Sequence, residues 1–551
     1  MFSKKLTRVV KYGLYGSVAI GGTVTAAVKL NDGDYDSLAI VRLSRAAFTA
    51  VEIGRTYKSL LYSKDWDRSS KEYLEVKSQA HQIGAEKLLE LCKANKGVYI
   101  KVGQHVGALD YLLPNEYVKT MRILHKDAPQ NTVEELYKVI REDLKQDPKD
   151  LFAEFDPEPL GTASLAQVHR ARLKDGTEVA VKVQHYFVRD NVKIDLKWME
   201  FIITTMSKVF PDFEMQWLMD ETKKNIAKEL DFVQEGHNAE RVSKLFQNYK
   251  WLKVPKIFWD YSTERVLVME YVSGGQVNDV KYINDHKINR YDLCKKLGDL
   301  YSHMIFVSGF VHSDPHPGNI LVKKDPKDKD VTVYLLDHGL YAQLSDKFRY
   351  HYSKLWLSII DRNREDMRIH AEELGIRKEL YGLFACMVTG RPWDSIMKGI
   401  GRTRPTSDEK STFQNELPNI LHYVTQCLEH VDRQALLVLK TNDLIRSIEY
   451  ALGMQDRMCG FVIMSQCCVQ SVYNLEYQVS SFFKQIVKLS KGCVFFFKPS
   501  KKSLHVIFVE SSLRTMKVAQ SLIIVTVLFV HRTIVNIWCH INYVFFYEFH
   551  T

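Results

Sequence analysis

The chain has 551 residues, 46% hydrophobic and 26% charged, which excludes a disordered chain and leaves room for a two-lobed unit with extensions. Its formal net charge of +10 fits an anionic partner, a phosphate ligand or a lipid surface. No basic block is interleaved with aromatics, so nucleic acid is not expected as a partner. The nine cysteines include no C-x-x-C pair, and the adjacent Cys467 and Cys468 lack zinc-ligand spacing, so buried thiols in a reducing compartment are the plain reading.

Residues 1–31 carry Lys4, Lys5, Arg8, Lys11 and Lys29 and no acidic residue. A basic, acid-free start reads as a mitochondrial targeting segment. Within it, Tyr12 to Val28 is uncharged and sits at the short end of what spans a bilayer. Gly13, Ser17 and Gly21 recur every four residues, as small residues do on packed membrane helices. A cleaved presequence, a membrane anchor, or one followed by the other all fit. A glycine-rich, leucine-poor stretch is a poor secretory signal.

From Ser69 to about Leu124 the pattern is helical, with Tyr73, Val76, Ala80 and Ile83 at spacings of three and four. Thr132 and Glu135 form a capping box that opens another helix. The prolines of Asp147-Pro148 and Asp156-Pro157-Glu158-Pro159 are expected to break the chain before the next element. These residues make a helical extension, 66–150.

The period then changes to two. Gln167–Leu173 and Glu178–Gln184 read as strands joined by an Asp175-Gly176 turn. A long helical stretch is expected from Trp217 to Asn248, ended by Pro255, with a further strand over Arg265–Val272. Beyond Arg290 the chain reads as helical apart from His312–Val322 and Val331–Leu336. Strands with a helix, then a helical lobe with two short strands, is the order of an α+β, two-lobed, protein-kinase-like fold. The lobes are expected at 151–272 and 273–480.

Val179-Ala180-Val181-Lys182 places a lysine on the strand after the turn, opposite in facing to Val181 and Val183. His312-Ser313-Asp314, with Asn319 five residues after Asp314, has the spacing of a kinase catalytic loop. Such a loop offers one carboxylate to position or deprotonate a nucleophile and one amide for magnesium. Asp337-His338-Gly339 supplies a second carboxylate after an apolar strand, and Gly339 is expected to permit the turn that aims Asp337 at the metal. His312 and His316 are four apart, but Pro315 and Pro317 exclude the helix that would join them at a zinc ion.

Lys101-Val102-Gly103-Gln104, Glu229-Leu230-Asp231 and the His312–Asn319 loop resemble the K-x-G-Q, E-x-D and catalytic-loop motifs of the aarF/UbiB kinase-like family, in its mitochondrial branch. The likeness covers roughly Tyr99 to Ser481. It implies Lys182 paired with Glu235 and, with Asp314, a catalytic role for all three. It implies nucleotide binding by Gly161, Thr162, Ala163, Ser164, Lys182 and Glu270, and magnesium ligation by Asn319 and Asp337. It also implies an N-terminal extension packed over the active site, with Lys101 and Gln104 facing Glu229 and Asp231. Asp231, Glu235 and Asn238 are spaced to share one helix face, whereas Glu229 and Asp231 are two apart, so one of them differs in role or the helix is irregular.

The implied activity is an atypical kinase or ATPase that binds Mg-ATP or Mg-ADP. It would act on, or be coupled to, a small lipid-like molecule or membrane lipid. Inner-membrane association in mitochondria and mitochondrial membrane proteins as partners also follow from the likeness. The alternative is a catalytically weak pseudokinase that senses nucleotide as a scaffold.

Two departures matter. Gly161, Ala163 and Ala166 occupy the G-x-G-x-x-G spacing, so alanine replaces two glycines, and Gly161 and Thr162 stand where the family commonly has alanine. After Gly339 there is no A-P-E segment and no long polar activation loop, which disfavours a protein substrate. Residues 481–551 lie outside the likeness. Val518–His531 and Thr533–Tyr547 are uncharged stretches split by Arg532, each short for a membrane helix.

Overall fold

The alternation of β3 (Glu178–Gln184) sets the small lobe's layering. Val179, Val181 and Val183 are fully buried against Leu136, Val139 and Ile140, residues of α5 (Val133–Leu144), which opens with a Thr132/Glu135 capping box. The opposite face carries Ala180 and Lys182, and Ala180 packs with Phe232 and Ala239. One strand thus joins a purely apolar layer to a layer that holds a charge. Its sheet is antiparallel in the order β1-β2-β3-β5, with β1 Phe152–Thr162, β2 Ala166–Leu173 and β5 Val266–Glu270. The computed structural model describes residues 38–67, 70–107, 113–125, 130–209, 216–313, 316–324, 330–400, 423, 427, 431–454 and 463–476. Tyr12–Val28, Asp314 and residues 481–551 lie outside them. Among the described residues no helix is long and apolar enough to cross a membrane.

β1 corrects the sequence reading. Asp156-Pro157-Glu158-Pro159 does not break the chain; it lies inside the strand, with register shifts between Phe155 and Pro159. β1 is an edge strand that pairs only with β2, where missing N–H groups can face away from the ladder.

Ahead of the sheet stand α1 (Ala39–Leu61), α2 (Lys71–Asn95), α3 (Val98–Gly107) and α4 (Asn115–Met121). After β3 come α6 (Val188–Val209), α7 (Gln216–Glu229) and α8 (Phe232–Leu245). The expected single helix over 217–248 is therefore two, broken at Leu230-Asp231, and α6 was not anticipated. α3 shares one core with α6 and α7: Tyr99, Ile100 and Val106 pack with Val192, Met199, Met219 and Ile226. Leu165, from the loop between β1 and β2, is in the same core.

The large lobe carries β4 (Leu252–Lys253), β6 (Gly275–Gln276), β7 (Phe310–His312), β8 (Ile320–Lys324), β9 (Val331–Leu335) and β10 (Tyr341–Gln343). β4-β9-β8-β6 form one sheet and β7 pairs with β10. Its helices include α9 (Arg290–Ser302), α10 (Asp346–Asp361), α11 (Arg364–Glu373), α12 (Tyr381–Thr389) and α13 (Arg433–Ala451), packed on one continuous core. The six described cysteines are buried.

A buried ion pair fastens the extension to the small lobe. Arg42 on α1 meets Asp195 on α6 through two bonds, of 2.5 and 3.2 Å, and also donates to the Asn95 carbonyl. The side chains are 3% and 2% exposed, so truncating one strands the other without water. Arg42→Ala is expected to lower the unfolding free energy by about 3–5 kcal/mol, and Arg42→Met with Asp195→Leu to recover most of it. Denaturant titration of the three proteins measures both, and equal losses in the single and double variants would contradict the assignment.

Candidate functional site

Lys182 is held by Glu235, one turn into α8, whose two carboxylate oxygens lie 2.6 and 2.8 Å from Nζ. Glu235 is 2% exposed. Lys182 Nζ lies 3.8 Å from Asp337 Oδ1. Burial alone would lower the lysine pKa, but Glu235 and Asp337 more than offset it, so the ammonium is kept.

Asp337 follows β9 and presents a carboxylate that is 39% exposed. Burial pushes its carboxyl up; Lys182, then His312 and the Gly339 N–H, pull harder, and it sits well below the usual carboxylate range. Asn319 Nδ2 donates to Asp337 Oδ2 at 3.3 Å, leaving the amide oxygen of Asn319 as an acceptor. His312 Nε2 donates to the Asp337 carbonyl at 3.0 Å. Its place is that of a brace for the turn, while His316 Nδ1 accepts from the Gly318 N–H. His338 is drawn down to about 4, chiefly by burial and then by His312. It donates to the Leu335 carbonyl and so accepts from the Tyr341 hydroxyl.

Gly339 is needed for a different reason than expected. It does not take a positive φ. Its N–H donates to Asp337 Oδ1 at 3.0 Å, and an added Cβ would stand 3.3 Å from that oxygen and 3.6 Å from Glu235 Oε2. The glycine keeps two carboxylates uncrowded.

The E-x-D question is decided by the helix break. Glu229 ends α7 and its Oε2 lies 2.7 Å from Lys101 Nζ, with side chains 13% and 9% exposed. Asp231 is outside the helix: it caps α8, accepting from the Gln234 N–H at 3.0 Å. It therefore does not share a helical face with Glu235 and Asn238. Asn238 instead donates to the His338 carbonyl at 3.0 Å, tying α8 to the turn after Asp337. Gln104 donates to the Leu124 carbonyl at 3.0 Å. Gly103 lets α3 sit close: a Cβ there would lie 2.3 Å from Leu124 Cδ1. Lys101 is near enough to help hold Asp337 down, and Glu229 near enough to help hold Lys182 up.

Gly161 and Thr162 end β1, and Ala163 and Ser164 form the turn into β2. Ala163 donates to the Ala166 carbonyl at 2.8 Å, and no residue of 161–166 needs a positive φ. Alanine thus fits the turn without strain. Glu270 is exposed at the end of β5, where its carboxylate accepts from the Lys256 N–H at 3.3 Å. Asp314 lies outside the described residues. Only residues 338–345 separate Asp337 from α10.

Residues 123–371 match the ABC1 atypical kinase-like domain. The AarF domain-containing kinase 1 of Drosophila melanogaster is 56% identical over 470 residues, 85% of this chain and 90% of the relative. The chain belongs to the ABC1/AarF atypical kinase family. The mouse AarF domain-containing protein kinase 1 is 46% identical, covering 87% of this chain and 91% of the relative. The yeast ABC1 family protein MCP2 is 34% identical, covering 83% and 84%. In this ABC1/AarF chain the extension is integral, because α3 supplies Lys101 to a pair that acts electrostatically on Lys182 and Asp337.

A double-mutant cycle distinguishes the two acids. Lys101→Ala is expected to cost about 3–5 kcal/mol of stability and to couple strongly with Glu229→Gln. Coupling with Asp231→Asn should stay below about 0.5 kcal/mol. Equal coupling to both acids would contradict the Lys101–Glu229 geometry.

Proposed function

We propose that the cleft binds a magnesium–adenine nucleotide and that the chain is an ATP-dependent enzyme. It would transfer phosphoryl groups to a small lipid-like acceptor, or hydrolyse ATP while coupled to one. The observation that supports this most is the bidentate Lys182–Glu235 pair facing Asp337 and Asn319. An ammonium held charged at a fixed point suits the α and β phosphates. A carboxylate kept ionised beside an amide oxygen is a hard donor set suited to magnesium, and Asp337 and Asn319 would hold the ion. Magnesium there would neutralise charge on the transferred phosphoryl group. Gly161, Thr162, Ala163, Ser164 and Glu270 would line the nucleotide. Asp314 would serve as base or nucleophile-positioner, on the strength of its spacing to Asn319.

The short 338–345 segment and the Lys101–Glu229 pair leave no platform for a peptide among the described residues, which favours a small substrate. The same two features favour the second reading, a nucleotide-sensing scaffold with little turnover. Magnesium-dependent ATP turnover by the purified chain, with and without anionic lipid vesicles, separates them. Turnover supports the enzyme; nucleotide binding without turnover in either condition supports the scaffold.

Asp337→Asn should weaken magnesium–ADP binding by roughly tenfold or more, the worth of a lost charge-assisted contact. A thermal-shift titration with equal stabilisation of mutant and wild type would remove Asp337 from the metal site.

For location we propose mitochondria and association with the inner membrane, supported by the acid-free residues 1–31 and the uncharged Tyr12–Val28 stretch. Mitochondrial membrane proteins and membrane lipid are then the partners to seek. Residues 1–31 fused to a fluorescent reporter should carry it to mitochondria. A diffuse cytosolic signal would contradict this.

A further inference from the structure

His185, the residue after β3, is 1% exposed and belongs to none of the motifs discussed above. Its backbone N–H donates to the Leu165 carbonyl at 3.0 Å. Its ring Nε2 lies 3.0 Å from the Ala163 carbonyl oxygen. A carbonyl can only accept, so the proton is on Nε2 and Nδ1 is a bare acceptor. Nδ1 is buried and meets no hydrogen-bond partner among the described residues. Burial, chiefly, draws the ring down to about 4, so it stays neutral and offers a single N–H.

A leucine or phenylalanine would fill this space without leaving a buried nitrogen unsatisfied. What only the histidine adds is the bond to Ala163, in the β1–β2 turn. The ring is also propped from behind. Phe187 stacks on it with centroids 5.7 Å apart and planes at 1°. The Phe187 ring also meets Gly97, whose absent Cβ would stand 3.1 Å from it. Gly97 has φ +52 and immediately precedes α3, the helix that carries Lys101.

We propose that His185 is a positioning residue for the phosphate-facing turn, and that the His185–Phe187 stack braces this turn against the start of the Lys101 helix. The turn lacks two of the three glycines of ordinary kinases, so its position is set from outside, by the bonds of His185 to the Ala163 and Leu165 carbonyls, rather than by its own backbone freedom. The purpose of the brace rests on the nucleotide reading above; its existence does not.

The test uses the full chain with His185→Leu, His185→Gln, Phe187→Ala, and His185→Leu combined with Phe187→Ala. Amide exchange of the peptide covering 161–166, measured without nucleotide, is expected to speed up about three- to tenfold in His185→Leu, the worth of one neutral hydrogen bond. His185→Gln, whose amide can still donate, should restore much of the protection. The double variant should match His185→Leu rather than add to it. The melting temperature of His185→Leu should stay level or rise, because the bare nitrogen is gone. Binding of a fluorescent ADP with magnesium should weaken by a similar factor.

Unchanged exchange at 161–166 in His185→Leu would overturn the proposal. So would a fall in melting temperature with exchange raised evenly across β2, β3 and β5, which marks a merely structural role. Additive effects of His185→Leu and Phe187→Ala would overturn the brace. If the wild type binds no nucleotide while the exchange pattern holds, the nucleotide reading fails and the positioning role stands.

Discussion

Lys182 has to satisfy two carboxylates at once, and the rest of the site is arranged around that demand. Glu235 takes both short contacts and Asp337 stands further off, still drawn down by the same ammonium. Without Lys182, two acids from different lobes would face each other in a cleft where neither could easily stay ionised. The turn that presents Asp337 is accordingly fixed by several unrelated bonds: His312 on its carbonyl, Gly339 on its carboxylate, Asn238 on the next carbonyl. These hold the second carboxylate at a distance that the lysine can serve.

A second lysine–glutamate pair, Lys101–Glu229, lies close enough to act electrostatically on two of these three groups, Lys182 and Asp337. The two pairs are carried by different helices, and the break at Leu230-Asp231 makes this workable. α7 ends at Glu229, pointing it to the extension; α8 begins after Asp231, pointing Glu235 to the sheet. One continuous helix would have rotated the two acids by a fixed 100° per residue and could not have aimed them independently.

Much of this was legible in the sequence because it is written in short spacings. The Val-Ala-Val-Lys alternation, the Asn319 offset and the apolar strand before Asp337 each follow from a local rule, and their order carries the fold. Other features had no local sign. The Arg42–Asp195 pair joins residues 153 apart in the chain. α6 was hidden because Ile194 and Phe201 lie 45% and 56% exposed, which blurs the apolar stripe a reader looks for. β1 was hidden by prolines that an edge strand tolerates. Asp231 was misplaced because cap and helix interior look alike when only spacing is read; a helix-capping aspartate beside a Leu-Asp break was the available clue. His185 gave no signal, since its role depends on a carbonyl that no side-chain pattern records.

Leu165 has a bearing on how the protein can be divided. It sits in the turn between β1 and β2, yet its side chain is buried in the core that Tyr99, Ile100 and Val106 build with α6 and α7. The matched kinase-like domain begins at residue 123, beyond α1 to α4. A fragment cut at that limit would carry Leu165, Met219 and Ile226 into water together with the unpaired Asp195. The extension and the kinase-like domain are therefore one folding unit, and modular recombination at the domain boundary would yield an aggregating protein rather than a freed kinase-like domain.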